Sequence, residues 1–326
     1  SGSDRADEKQ PCLVHLGALP MAHCAVKYGS TAPAVPEECG NGEFHRSFDD
    51  RLWLFTRSWR PEGKTWATLM IVHGTVDHSG VYEELGKSLS AKGVAVFASD
   101  MRGWGYSDGE PLYVDDIQSF VGDIVADYER IHQLGSPYAD VTARFLLGKS
   151  IGGLFTAWAA AQYQDKWTGL IGLSGAFQVD EAMKPSALTL MLVKSLAWLM
   201  PKMPLRQLFD PKLIVSDEDA LKAWERDPLV SRGKITPGYL TEMFRLQAAL
   251  PEHLKQLKVP VLLLWGTGDQ VVTEAGHQLV FAAAKEGDSQ FLRYSKGFHN
   301  LLAEPQHKDQ VIDDIQLWIK KVSKAF

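Results

Sequence analysis

Gly148-Lys149-Ser150-Ile151-Gly152-Gly153 is the stretch on which the fold turns. It follows the apolar run Ala143-Arg144-Phe145-Leu146-Leu147, which reads as a buried strand. It precedes Leu154-Phe155-Thr156-Ala157-Trp158-Ala159-Ala160-Ala161, which reads as a helix. A serine between strand and helix, with small residues two positions to either side, predicts a tight turn that holds its hydroxyl clear of the sheet. Glycine is needed there because a Cβ would collide with the neighbouring backbone. The helix that follows turns its positive end toward the serine.

Working outward, apolar strands and amphipathic helices alternate from Glu43 onward. Phe44–Phe48 and Leu52–Trp59 read as a hairpin joined at Asp49-Asp50. Thr68–Val72, Val94–Ser99, Leu170–Leu173, Val259–Trp265 and Phe291–Tyr294 read as further strands. Val81–Lys92, Val114–Gln133, Gln278–Lys285 and Val311–Val322 read as helices. This rhythm predicts an α/β fold with a mostly parallel sheet covered on both faces. It breaks once, between Ser174 and Val259, where about 85 residues stand in place of a short crossover. The expected organisation is an irregular arm over 1–42, a core formed by 43–175 and 259–326, and a helical lid or cap inserted at 176–258. Ligands in open α/β sheets bind above the carboxyl ends of the strands, so the insertion should roof the site.

Composition narrows the function classes. The 326 residues are 45% hydrophobic and 23% charged, an ordinary globular balance. A net charge of -6 argues against nucleic acid as a partner and supplies no pull toward anionic lipid. No apolar run approaches the roughly 20 residues that span a bilayer. All three cysteines, Cys12, Cys24 and Cys39, precede the core, so a thiol nucleophile is not expected. Their odd number and irregular spacing give no disulfide framework, although a Cys24–Cys39 bridge stays open. Ser1-Gly2-Ser3 reads as an expression scar, which leaves the native amino terminus open. A cytoplasmic location, with peripheral membrane contact, is the working expectation.

A serine nucleophile needs a base, an acid that orients the base, and donors for an oxyanion. In α/β hydrolases the chain order is serine, acid, histidine. Asp269 follows the apolar strand in Trp265-Gly266-Thr267-Gly268-Asp269, and His299 follows the next strand in Lys296-Gly297-Phe298-His299-Asn300. Ser150, Asp269 and His299 therefore all project from strand carboxyl ends. The expected oxyanion donors are the backbone N–H groups of Ile151 and of Thr75, in His73-Gly74-Thr75-Val76-Asp77-His78-Ser79-Gly80. His73 reads as a structural residue, and His277 and His307 as exposed. His73 and His78 lack a third ligand at metal spacing, so neither a metal nor a cofactor is expected. Ala143 stands where a P-loop needs its first glycine, and Val271 where a dinucleotide fingerprint needs Gly or Ala.

The segment from His73 to Tyr82, then Asp100-Met101-Arg102-Gly103-Trp104-Gly105-Tyr106-Ser107-Asp108-Gly109, then the turn at Ser150, resemble the monoacylglycerol lipase family. Leu221–Pro228 and the Asp269 and His299 loops continue the resemblance from about residue 43 to the end. It implies the alpha/beta hydrolase fold: an eight-stranded, mostly parallel sheet with an inserted lid. It implies Ser150, Asp269 and His299 as a triad, Thr75 and Ile151 as oxyanion donors, and a supporting ion-paired turn at Asp100–Gly109. Two positions depart from the family: Lys149 stands where His, Gln or Glu is usual, and Thr75-Val76 replace smaller residues.

Pro185–Met200 is apolar around most of a helix and is stopped by Pro201. Leu188, Leu192, Leu196, Trp198 and Leu199 are the candidates for lining an acyl tunnel and touching lipid at the membrane interface. The expected activity is hydrolysis of carboxylic esters of apolar acyl chains, monoacylglycerol first, on a small lipid ester substrate. Lysophospholipase, thioesterase and hydroxycinnamoyl-type esterase are alternatives on the same scaffold. A hydrolase-like binding protein with little turnover, and a cofactor-free haloperoxidase or lyase, are alternatives of other classes.

Overall fold

Alternate residues of the central strands point to opposite sides, and this period of two builds the core. A computed structural model describes residues 29–114, 116–180, 186–205, 210–231 and 235–323. The strands are β1 (Gly42–Arg46), β2 (Trp53–Trp59), β3 (Ala67–Val72), β4 (Val94–Ser99), β5 (Ala143–Lys149), β6 (Gly169–Leu173), β7 (Val261–Gly266) and β8 (Gln290–Tyr294). They form one eight-stranded sheet in the order β1-β2-β4-β3-β5-β6-β7-β8. Pairing is antiparallel from β1 to β2 and β2 to β4, and parallel from β4 to β8. The alpha/beta hydrolase architecture predicted from the sequence is the one observed.

The helices are α1 (Glu83–Ser90), α2 (Ile117–His132), α3 (Ile151–Gln162), α4 (Ala187–Leu199), α5 (Glu218–Arg226), α6 (Pro237–His253), α7 (Glu274–Ala283) and α8 (Lys308–Ser323). Met70, Phe97, Leu146 and Leu263 pack on one face of the sheet with α2, α3 and α6. Their strand neighbours Leu69, Val96, Phe145 and Leu264 pack on the other face with α1 and α8. Burying one such side chain contributes roughly 1.5–3 kcal/mol, so the two-faced burial of β3 to β7 dominates the stability.

Local chemistry shifts several boundaries. The hairpin turn is longer than Asp49-Asp50: Ser47 Oγ donates to Asp49 and Asp50 takes a positive φ of 57°, so β1 ends at Arg46 and β2 begins at Trp53. Asp116 caps α2 by accepting the Gln118 N–H, which starts that helix at Ile117 rather than Val114. The insertion holds α4, α5 and α6. Of these, α6 lays Tyr239, Leu240, Met243, Leu246 and Leu250 into the core beside α3. By contrast α4 turns Leu188, Met191, Leu192, Trp198, Leu199 and Met200 outward.

Residues 1–28, with Cys12 and Cys24, lie outside the described residues. Cys39 is buried, and its sulfur accepts from Arg57 at 2.9 Å; the Cys24–Cys39 pairing left open by the sequence involves a residue outside the described ones. Among the described residues no helix is long and apolar enough to cross a membrane.

Candidate active site

The turn between β5 and α3 forces Ser150 to φ 52° and ψ −121°, a strained conformation for a side-chain-bearing residue. Backbone bonds lock it there: the Ser150 N–H donates to Leu173 O at 3.1 Å, and Ser150 O accepts from Gly153 and Ala176. The glycines are sterically required. A Cβ on Gly148 would lie 2.3 Å from Gly152 O, and one on Gly152 would lie 2.2 Å from Val72 O.

Two loops bring the partners to this serine. Asp269 follows β7 and His299 follows β8, and a bond from Gly268 N to Gly297 O at 2.9 Å ties the loops together. His299 Nε2 lies 2.9 Å from Ser150 Oγ, and His299 Nδ1 lies 2.8 Å from Asp269 Oδ2. The other carboxylate oxygen of Asp269 accepts the N–H groups of Val271 at 2.8 Å and Val272 at 3.1 Å. Asp269 and His299 are buried. Three residues separated by up to 149 positions, those singled out from the sequence, thus lie in one hydrogen-bonded row.

The loop after β3 forms the opposite wall. The Thr75 carbonyl accepts from Trp104 Nε1 at 2.6 Å, and the Thr75 N–H has no hydrogen-bond partner among the described residues. The Ile151 N–H is at the first position of α3, ahead of any intrahelical acceptor. A small cavity beside Ser150 and His299 is lined by Gly74, Thr75, Val76, Asp77, Lys149, Ile214 and Val271. His73 is structural, as read from sequence: one ring nitrogen meets Gly74 O and the other accepts the Met101 N–H. The Asp100–Gly109 turn braces this loop. Asp100 accepts the N–H of Ser79 at 2.6 Å and of Tyr106 at 2.9 Å, and Arg102 forms a two-pronged pair with Asp123.

Lys149 explains itself here. Its ammonium lies 2.7 Å from Asp77 Oδ2, with both side chains only 3% exposed. Burial alone would push the Asp77 carboxyl up, but the Lys149 charge overrides this and holds it below the usual carboxylate range. The same oxygen accepts the Gly74 N–H at 3.3 Å, so the pair joins the elbow to the Thr75 loop. Removing one partner of a buried pair strands the other charge. We therefore expect Lys149→Met to lower the unfolding free energy by about 3–5 kcal/mol in a urea titration. A loss below about 1 kcal/mol would show that the pair is dispensable.

The insertion is moored to this wall at two places that sequence reading did not identify. His78 Nε2 meets Asp227, just past α5, at 2.9 Å. Burial alone would lower the His78 imidazole, but the bond to Asp227 overrides it and raises its pKa. Further along, the Asn300 N–H donates to Ile214 O, and buried Glu304 accepts from the Ser216 N–H and hydroxyl. Tyr239 of α6 was also missed, and its hydroxyl lies 2.5 Å from Thr75 Oγ1. The tunnel candidates do not gather at this cavity. Leu188, Leu192, Trp198 and Leu199 face outward and Leu196 is half-buried.

His277 requires a correction. Expected to be exposed, it is fully buried: its Nδ1 donates to Thr273 O, its Nε2 accepts the Gly175 N–H, and Phe177 and Phe291 pack on the ring. Burial pushes its pKa down to about 4, so it stays neutral. His307, also expected to be exposed, is half-buried against Tyr294.

Fold and chemistry together define the class: this protein is a serine hydrolase of the alpha/beta hydrolase fold. It belongs to the family described as Serine aminopeptidase, S33, whose profile matches residues 63–306. Mouse monoglyceride lipase is 28% identical over 271 residues, 83% of this chain and 88% of that protein. Caffeoylshikimate esterase of Arabidopsis thaliana is 31% identical over 284 residues, 84% of this chain and 83% of that protein. The crystal structure of Paleococcus ferrophilus monoacylglycerol lipase superposes with a TM-score of 0.73 at 26% identity, covering 82% of this chain and 99% of that one.

Proposed function

We propose that the chain hydrolyses monoacylglycerols, with Ser150 as nucleophile, His299 as base and Asp269 as its orienting acid. The observation that carries this reading is the row Ser150–His299–Asp269, with His299 bridging both partners at hydrogen-bond distance. His299 Nε2 takes the Ser150 proton while Oγ attacks the ester carbonyl. The N–H groups of Thr75 and Ile151 receive the oxyanion, and losing one such donor typically costs about 2.7–4 kcal/mol. The imidazolium then returns its proton to the departing glycerol oxygen, leaving an acyl-serine. Water, deprotonated by the same imidazole, releases the fatty acid and restores the hydroxyl. No cofactor enters this cycle.

The substrate class rests on the relatives named monoglyceride lipase and on the apolar insertion. In this reading 176–258 is a lid. The outward row Leu188, Leu192, Trp198 and Leu199 on α4 rests against a lipid surface, with Trp198 83% exposed. Leu196, half-buried, lies at helical spacing on the same stripe as Leu188 and Leu192. The contact is apolar rather than electrostatic, since the net charge is -6.

The test is a substrate panel with the purified protein: 1-monooleoylglycerol, lysophosphatidylcholine, oleoyl-coenzyme A and 4-nitrophenyl acetate. The highest kcat/KM is expected for the monoacylglycerol, and preference for either other long-chain substrate would reassign the head group. On the same panel, a Leu192→Ser, Trp198→Ser double variant should lose long-chain turnover about 10²-fold while acetate hydrolysis changes little, since each apolar side chain buried against lipid contributes roughly 1.5–3 kcal/mol and each 1.4 kcal/mol is about tenfold. Equal losses on both would remove α4 from lipid handling.

A further inference from the structure

We propose that the Thr75 side-chain hydroxyl is a third oxyanion donor, aimed by Tyr239 of the insertion. The inference rests on the reading of Thr75 and Ile151 as the oxyanion site and adds a group to it. Thr75 is one of two positions in its loop that depart from the smaller residues of the family, and it lines the cavity beside Ser150. Its Oγ1 lies 2.5 Å from the hydroxyl of Tyr239, 164 residues later in the chain.

The direction of that bond follows from counting donors and acceptors. Tyr239 is 1% exposed, and among the described residues Thr75 is its hydroxyl's partner. If Thr75 were the donor, the phenolic O–H would be buried without an acceptor, a costly arrangement. With Tyr239 donating, the buried phenol is satisfied by Oγ1, and the Thr75 O–H is left for an acceptor in the cavity that Thr75 lines. Acidity favours the same direction, since a phenol is the stronger acid of the two hydroxyls. Burial raises the Tyr239 pKa further, so the donor stays protonated across the working range.

The frame around this hydroxyl is rigid. Trp104 Nε1 holds the Thr75 carbonyl from the core side, while α6 holds the side chain from the insertion side. The Thr236 side chain caps α6 and also donates to Leu112 O, fixing the start of the helix that carries Tyr239. An oxyanion donor must be set in place before the charge develops, and two independent anchors on one residue provide that. Because the hydroxyl meets negative charge only after attack, it stabilises the transition state more than the bound ester.

The experiment compares Thr75→Val, Thr75→Ser and Tyr239→Phe on 4-nitrophenyl butyrate, with reactive sites counted by exhaustive fluorophosphonate labelling. Valine keeps the shape and the backbone N–H but removes the hydroxyl. We expect kcat per labelled site to fall about 10²-fold in Thr75→Val with KM nearly unchanged. Thr75→Ser should retain turnover to within about fivefold, and Tyr239→Phe, which loosens the hydroxyl without removing it, should lose about tenfold or less. Thr75→Val within about threefold of the parent, or a Tyr239→Phe loss equal to that of Thr75→Val, would overturn the proposal. If Thr75→Val does not fold, Thr75→Ala carries the same expectation and the same overturning result. A parent protein that neither labels nor turns over ester would instead overturn the serine-hydrolase reading beneath it.

Discussion

Ser150→Ala should abolish ester turnover, with kcat falling by a factor on the order of 10⁶. The neighbouring polar groups are tied to partners and lack a base poised as His299 is toward Ser150: Thr75 Oγ1 is bonded to Tyr239, Lys149 is held by Asp77, and Asp269 is held by His299, Val271 and Val272. The loss should come without unfolding. The residue sits at φ 52°, which costs alanine no more than serine, and its backbone bonds to Leu173, Gly153 and Ala176 are unchanged. Residual acceleration over water from the oxyanion donors and substrate binding would remain, on the order of 10³-fold. The measurement is single-turnover ester hydrolysis paired with fluorophosphonate labelling. Parent-level labelling in the variant would place the nucleophile elsewhere.

Asp269→Asn is the second large effect, with an expected drop of about 10⁴-fold in kcat, or about 5.4 kcal/mol of barrier. The hydrogen bonds say why so conservative a change costs so much. In the parent, one carboxylate oxygen accepts two backbone N–H groups, from Val271 and Val272, and the other faces His299 Nδ1. An asparagine must keep its carbonyl oxygen toward the two N–H donors. Its NH₂ then points at Nδ1, which must become an acceptor. The ring proton moves to Nε2, the atom that faces Ser150 Oγ at 2.9 Å, and the base can no longer take a proton. Thermal stability should change little, because the loop bonds survive. A variant within about tenfold of the parent kcat would mean that the ring does not depend on this carboxylate for its tautomer.

Much of this was legible in the sequence, for a physical reason. Buried parallel strands are continuous apolar runs, and β3 to β7 announce themselves that way. The elbow is visible because sterics leave little but glycine at Gly148 and Gly152. The order of Ser150, Asp269 and His299 is visible because each follows a readable strand. What stayed hidden has no local signature. The Tyr239–Thr75 bond spans 164 positions, and nothing around Pro237 distinguishes a tyrosine that reaches the site from one that fills the core. His277 carries a helical position but not the news that Phe177, Phe291 and two backbone groups enclose it. Lys149 was visible as a departure from the family. Its meaning required Asp77, 72 residues earlier, brought within 2.7 Å by the packing of β3 beside β5.

That last pair makes positions 77 and 149 a single heritable unit. Drift at either one alone strands a charge that is almost wholly buried, so selection favours replacements made two at a time. A mutagenesis library that saturates codon 149 on its own will return mostly inactive clones, and its silence will say little about the chemistry next door. Randomising both codons together opens the residues usual in the family to this scaffold and separates what the ammonium does for the architecture from what it does for selectivity.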